Sequence, residues 1–158
     1  MAEPQQPVFS IEKVYVKDLS LEVPRGAQSF LENGQPQFEV HITSGSQRVA
    51  EGLYEVGVNV TVTAKNEDKP LFLVEVKQAG IFQIRNVPDT EIKPVLGIAC
   101  PTILFPYVRE TVADLVTRSG FPPIHLAPVN FEAMYAAAQQ AQQKKDAEGD
   151  GPRIEIAH

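Results

Sequence analysis

One cysteine and three histidines are the side chains of this 158-residue chain that could make a thiolate–imidazole pair. Cys100 would be the nucleophile, with His41 or His125 as the base that takes its proton. His158 is the terminal residue. His41 falls in an alternating, strand-like run and His125 in a Pro-rich one, and neither is tied to Cys100 by spacing. The simpler reading is adopted: Cys100 is a small apolar core residue beside Pro101, the usual place for unpaired cysteine. Carboxylates are the other candidates. Asp18 and Glu22 share one face of a strand by period two, and Glu75 follows Leu73 on another strand. Acid–base catalysis needs two carboxyls in shielded, contrasting environments, and nothing around these three suggests that. They suit a solvated sheet face or a docking surface for a basic partner. Glu110 and Asp114 are the carboxylates that a small hotdog-type acyl-thioester enzyme could aim from a helix, and they read more simply as exposed. Phosphate loop, dinucleotide fingerprint, nucleophile elbow, zinc-protease helix and paired C-x-x-C are all missing. No cofactor or metal is called for, and the balance moves from enzyme to binding protein.

These residues need elements to hold them, and the first half of the chain reads as strands. Phe9 and Ile11, then Leu19, Leu21 and Val23, fall at odd positions, whereas Val14 and Val16 are out of phase, which predicts a bulge or a change of buried face. A loop with Phe30 and Leu31 as anchors follows. Phe38, Val40 and Ile42 alternate up to a break at Ser44-Gly45-Ser46. Tyr54, Val56, Val58, Val60 and Val62 make the clearest strand. Leu71 to Ile84 is apolar in both phases, as if covered on both faces. Short connections suggest an antiparallel meander.

The second half reads as helices. Val108, Val112, Leu115 and Val116 recur at helical spacing from Pro106 to Gly120. Asn130 is placed to cap a helix from Phe131, with Phe131, Met134, Tyr135 and Ala138 on one side. Two apolar segments, Gly97 to Tyr107 and Phe121 to Pro128, must be core covering, subunit interface or groove. The division expected is a flexible N-terminus over 1–8, one domain over 9–145 and a flexible tail over 146–158.

Composition narrows the partners. A chain of 17.4 kDa with 43% hydrophobic residues can build one core. Fourteen basic against twenty acidic residues give a net charge of -6, which disfavours a nucleic-acid backbone or anionic membrane as partner. The opening Met-Ala-Glu-Pro-Gln-Gln-Pro shows no secretory signal pattern. The apolar run Gly97 to Val108 is short of the roughly 20 residues of a membrane helix. With an unpaired cysteine, a cytoplasmic location without membrane insertion is expected.

Particular blocks point to a family. Val14-Tyr-Val-Lys-Asp-Leu-Ser-Leu-Glu-Val-Pro24, Tyr54-Glu-Val, Val60-Thr-Val-Thr-Ala64, Gly80-Ile-Phe82, Cys100-Pro-Thr-Ile-Leu-Phe-Pro-Tyr-Val-Arg-Glu110, Gly120-Phe-Pro122 and Leu126-Ala-Pro-Val-Asn-Phe131 resemble the SecB protein-export chaperones, in order, from about Phe9 to Tyr135. The resemblance implies an α+β fold: a four-stranded antiparallel sheet with helices packed on one side, assembled as a homotetramer that is a dimer of dimers. It implies an ATP-independent holdase that keeps secretory preproteins unfolded and delivers them to the SecA motor. SecA-docking positions of the family fall on Asp18, Glu22, Leu73 and Glu75. Its client groove falls on Phe30, Phe38, Val40, Ile42, Phe131, Met134 and Tyr135. Past Tyr135 the helix becomes Ala136-Ala-Ala-Gln-Gln140, where bulkier aliphatics are expected of relatives. The tail ending Ile154-Glu-Ile-Ala-His158 carries over only a SecA contact. A SecB-like chaperone dedicated to a toxin–antitoxin system would have the same folded body.

Overall fold

In the computed structural model, which describes residues 5–149, four long strands form one antiparallel sheet: β1 (Val8–Glu22), β2 (Gln37–Ala50), β3 (Leu53–Asn66) and β4 (Lys69–Arg85). Their spatial order is β1-β4-β3-β2. The expected meander holds for β2-β3-β4 alone. The link over Val23 to Pro36 carries the chain back across the sheet, so β1 lies beside β4, a Greek-key order. That crossover contains a short 3-10 turn (Gly26–Phe30) and is tied down by Arg25. Its guanidinium donates to both Glu32 carboxylate oxygens, at 2.6 and 2.9 Å, and to the Pro70 carbonyl at 3.0 Å.

The odd phase of β1 has a definite cause. Pairing with β4 skips Glu12, between Ile11 and Lys13, and skips Lys17, between Val16 and Asp18. Two bulges thus return Phe9, Ile11, Val14, Val16, Leu19 and Leu21 to a single face, because residues directly opposite one another share a side. The expected break at Ser44-Gly45-Ser46 is absent. Gly45 pairs with Gly57 and β2 runs on, since ladder hydrogen bonds to β3 outweigh the weak strand preference of these small residues. The β3–β4 turn holds Glu67 and Asp68 at φ 49° and 66°, the conformation of a two-residue hairpin with both central residues left-handed.

Val56, Val58, Val60 and Val62 of β3 and Phe72, Val74, Val76 and Phe82 of β4 are almost fully buried on one face. Over them lies α2 (Cys100–Arg118), presenting Cys100, Leu104, Val108, Val112 and Val116. On the other face of β4 Ala79 is buried, but Leu73 and Ile81 are part-exposed and Glu75 and Lys77 exposed. The double-sided burial read from its sequence is therefore corrected to single-sided.

Helix starts earlier than Pro106. The chain is helical from α1 (Asp89–Pro94), through a π turn (Val95–Ala99), into α2. Pro94, Pro101 and Pro106 each remove a ladder donor, which hid the helix. The wider π turn lies where two of those prolines crowd the ladder. Asp89–Arg118, 30 residues, has the length and apolarity of a membrane span, and its buried residues Cys100, Leu104, Val108, Val112 and Val116 face the sheet. Pro122 to Asn130 holds no helix or strand. Asn130 caps α3 (Phe131–Gly149): its Oδ1 accepts from the Ala133 amide at 2.9 Å. The helix runs past Asp146, where the sequence suggested a tail; residues 150–158, with Ile154-Glu-Ile-Ala-His158, and residues 1–4 lie outside the described part.

Candidate functional site

The side of the sheet that carries the helices is only partly covered by them. Phe38, Val40 and Ile42 share that side of β2 with buried Val60, Val62 and Ala64 across the ladder, but α2 sits over β3 and β4. Phe38 is 52% exposed and Val40 40%. Sheet alternation makes this apolar row, and the offset of α2 leaves it open.

Two hollows lie along the row. At one end Phe38 and Phe72 form a cleft of about 280 Å³ with Pro36 and the extended linker residues Phe121, Pro122, Pro123 and Ile124. Phe72 lies 5.4 Å from Phe121 and 6.3 Å from Phe38 between ring centres. Phe30, half exposed, stacks on Phe121 at 5.0 Å. At the other end Ile42 and the Thr43–Ser46 stretch face Leu96 and Gly97 of the π turn and Met134, Tyr135, Ala138 and Gln139 of α3 around about 430 Å³. A Cβ on Gly97 would sit 2.5 Å from Tyr135 Cδ2, so glycine at this point is what lets α3 lie close.

Six of the seven residues expected in a groove, Phe30, Phe38, Val40, Ile42, Met134 and Tyr135, are brought to this strip. Phe131 is the correction. It is 2% exposed and packs edge-on against Phe105 at 5.9 Å, because the first residue of α3 turns inward under the cap. Sequence reasoning missed Phe72 and Leu96 as lining residues. Phe72 looked like ordinary strand core; Leu96 could be found only once the helix was extended back through the π turn. Of the two apolar segments left open, Gly97 lines the hollow, Cys100, Leu104 and Phe105 are core, and Phe121 to Ile124 wall the aromatic cleft.

The opposite face is polar. Register sets Glu22 beside Leu73, Ser20 beside Glu75, and Asp18 beside Lys77, so the three carboxylates and Leu73 form one patch across two adjacent strands. Further along this face, Tyr15 Oη donates to Glu55 Oε2, while Lys17 Nζ and Gln47 Nε2 donate to Glu55 Oε1 at 2.8 and 3.2 Å. The Lys17 hydrogen bond, and then that of Tyr15, holds Glu55 below the usual carboxylate range. Burial, reinforced by Glu55, pushes the Tyr15 phenol up to about 12. Glu55 is more acidic folded than unfolded, so its contribution is complete above its unfolded value and fades as pH falls through the depressed one. Tyr15 acts in the opposite sense, contributing below pH ~10 and losing its contribution as pH rises towards 12. Thermal melts of the wild type and Glu55→Gln should therefore differ most between about pH 5 and 9, the difference shrinking as pH falls through the depressed Glu55 value and as it rises through about 12.

Among the described residues no thiolate–imidazole pair forms. Cys100 is fully buried and its thiol is pushed up to about 12 by that burial. His41 bonds Glu39 at 2.9 Å on the polar face, and His125 is exposed in the linker. Asp114 pairs with Arg118 at 3.0 Å and Glu110 is exposed. Among the described residues no group of three or more His, Cys, Asp or Glu gathers. The arrangement can hold extended apolar chain on one face and meet a charged partner on the other.

A family model described as preprotein translocase subunit SecB matches residues 2–143. The chain belongs to the SecB family. Among similar proteins, the protein-export protein SecB of Methylobacillus flagellatus is 58% identical over 143 residues, covering 90% of this chain and 91% of its own. That of Neisseria meningitidis serogroup C is 54% identical, covering 90% and 97%. That of Nitrosospira multiformis is 54% identical over 156 residues, covering 99% and 98%. Among solved structures, a Mycobacterium tuberculosis SecB-like chaperone in complex with a ChAD peptide from the HigA1 antitoxin matches with TM-score 0.61 at 17% identity, over 77% of this chain and 90% of that one. This likeness concerns the SecB fold, a four-stranded antiparallel sheet with helices on one side. In this chain the stretch after Tyr135 still reaches the hollow, through Ala138 and Gln139, with less apolar surface than aliphatic residues would bring.

Proposed function

We propose that this chain is a protein-export chaperone, a holdase without nucleotide chemistry. It binds unfolded secretory preproteins along the Phe38–Val40–Ile42 row and passes them to SecA in the cytoplasm. The observation that carries the reading is that row itself: contiguous apolar surface, half exposed, walled by a linker and a helix instead of being sealed under α2. An unfolded chain offers apolar side chains without a fixed shape, and aromatic and methionine surface adapts to many of them. Each side chain buried would give about 1.5–3 kcal/mol before ordering costs. One groove is weak, and repeated grooves in one assembly strengthen it by roughly 10²–10⁴.

Assembly as a homotetramer, a dimer of dimers, fits the exposed strip on β1. Phe9, Ile11, Val16 and Leu19 are 41–47% exposed along a 15-residue edge strand, a surface that soluble proteins usually cover. A second copy is the cover proposed. The decisive test of function is refolding of a slow-folding precursor with equimolar tetramer and no nucleotide. Retarded refolding is expected; unchanged refolding, or a lone subunit by light scattering, would defeat the proposal.

On the polar face, Asp18, Glu22 and Glu75 are assigned electrostatic contact with SecA and Leu73 an apolar one. Asp18→Asn with Glu75→Gln should weaken SecA binding by about 2–25-fold, at roughly 0.2–1 kcal/mol per exposed pair, and leave client capture unchanged. Equal affinity by calorimetry would remove the assignment. A chaperone for one antitoxin is the second reading, with the M. tuberculosis neighbour as its precedent. The 54–58% identity to proteins named for export favours the first. Capture from the source cell separates them: many signal-bearing precursors, or one antitoxin.

A further inference from the structure

The crossover between β1 and β2 supplies one wall of the aromatic cleft and supports another. Pro36 lines the cleft, and Phe30, outside the lining, stacks on Phe121 at 5.0 Å. Gly120, at φ 90°, makes room for that ring, because a Cβ there would lie 2.9 Å from Phe30 Cε1 and Cζ. The backbone of the crossover does little to hold it in place. Its amide hydrogen bonds, Gly26 to Val23, Gln28 to Arg25 and Leu31 to Gln28, all close within the crossover itself. Ser29 is buried there with a hydroxyl that finds no partner among the described residues. Side chains must therefore carry the attachment. Arg25 and Glu32 pair through two hydrogen bonds, at 2.6 and 2.9 Å, while Arg25 Nε donates to the Pro70 carbonyl at 3.0 Å. Lys69 Nζ lies 3.7 Å from Glu32 Oε1. Glu67 and Asp68, in the same β3–β4 turn, make no ion pair with Arg25. Arg25 and Glu32 are part-buried, and the Arg25 hydrogen bond holds the Glu32 carboxyl below the usual carboxylate range. Pro70 stands two residues before Phe72, the floor of the cleft. The pair thus ties the segment that carries the walls to the strand that carries the floor, with the fixed geometry of a guanidinium–carboxylate fork.

We propose, building on the groove reading above, that Arg25 and Glu32 are positioning residues for client binding: their pair latches the crossover to the head of β4 and keeps the aromatic cleft formed before a client arrives. Neither residue lines the cleft, so both act through Phe30 and Pro36. A client ring that enters a formed cleft meets Phe38, Phe72 and Phe121 at once. With the latch open, the walls must be ordered as the ring binds, and that ordering cost is subtracted from the affinity. The effect belongs to this end of the groove, because the Ile42–Tyr135 hollow is lined by no residue of the crossover.

Two labelled unstructured peptides, carrying phenylalanines or leucines in one and the same polar sequence, would be titrated against the full chain by fluorescence anisotropy. Glu32→Gln and Arg25→Gln should each weaken the phenylalanine peptide about two- to tenfold, the scale of ordering one side chain on binding. The leucine peptide, which has no ring for the cleft, should lose less than about twofold under the same principle. Made together, the two changes should cost no more than either alone, since the pair is already broken. Amide exchange over 26–36, read by mass spectrometry, should quicken in all three variants as the crossover loosens. Unchanged exchange in either single variant, equal weakening of both peptides, or additive losses in the double variant would overturn the proposal while leaving the groove in place. Loss of a cooperative melt in either single variant would overturn it too, by making the pair a requirement of the fold. If neither peptide bound the wild type, the groove reading itself would fall, and the latch with it.

Discussion

Phe72→Ala should lower the unfolding free energy by about 3–5 kcal/mol, the range for removing a buried phenylalanine. Phe72 is 1% exposed, and its ring meets those of Phe38 and Phe121. Among the described residues no other side chain is both floor of the aromatic cleft and part of the buried valine layer, so the loss creates a cavity beneath surface that a client would use. Against a typical total of about 5–15 kcal/mol, this is a large fraction. At roughly 2–4 °C per kcal/mol for a chain of this size, Tm should fall by about 6–20 °C. Phe38→Ala is the informative comparison. Its ring is 52% exposed, so stability should change by less than about 1 kcal/mol while client binding weakens. Denaturant melts at one fixed protomer concentration would separate the two, since assembly contributes to apparent stability. A loss below about 1 kcal/mol for Phe72→Ala would mean that the linker collapses into the space and the cleft is not a built feature.

Gly97→Val should have the largest effect on binding. The added Cβ would lie 2.5 Å from Cδ2 and 2.9 Å from Cε2 of Tyr135, closer than any real contact, so the ring must leave and take its helix face with it. The hollow would then lose an aromatic and part of Met134. At about 1.5–3 kcal/mol for each apolar side chain no longer buried against the client, affinity for an unfolded precursor should fall at least about tenfold. Stability should change much less than for Phe72→Ala, because the displaced contact is half exposed. In a double-mutant cycle, Gly97→Val should cost little more in a Tyr135→Ala background. Wild-type affinity for Gly97→Val would show that the close approach does not hold α3 in place.

Much of this molecule is written in local pattern. Tyr54 to Val62 is an amphipathic strand under any tertiary context, because its valines alternate with polar residues and one face must be buried. Asn130 as cap follows equally locally, since its side chain meets an amide three residues on. The residue blocks from Val14 to Phe131 identify the family without any structure. Asp18, Glu22, Leu73 and Glu75 could be named one by one, but that they share a patch needed the β1–β4 register, a long-range pairing.

Sequence alone determined that the first half is stranded, that Asn130 caps a helix, and which side chains are apolar, because neighbouring residues settle those matters between themselves. Only the tertiary structure decided that β1 returns to the edge of β4, that two bulges hold its apolar residues on one face, and that prolines sit inside a helix begun at Asp89. It also decided that Phe131 goes inward while Phe38 stays open. These outcomes depend on competition between distant partners for the same buried surface: ladder pairing overrules a Ser-Gly-Ser break, and the limited width of α2 leaves β2 uncovered.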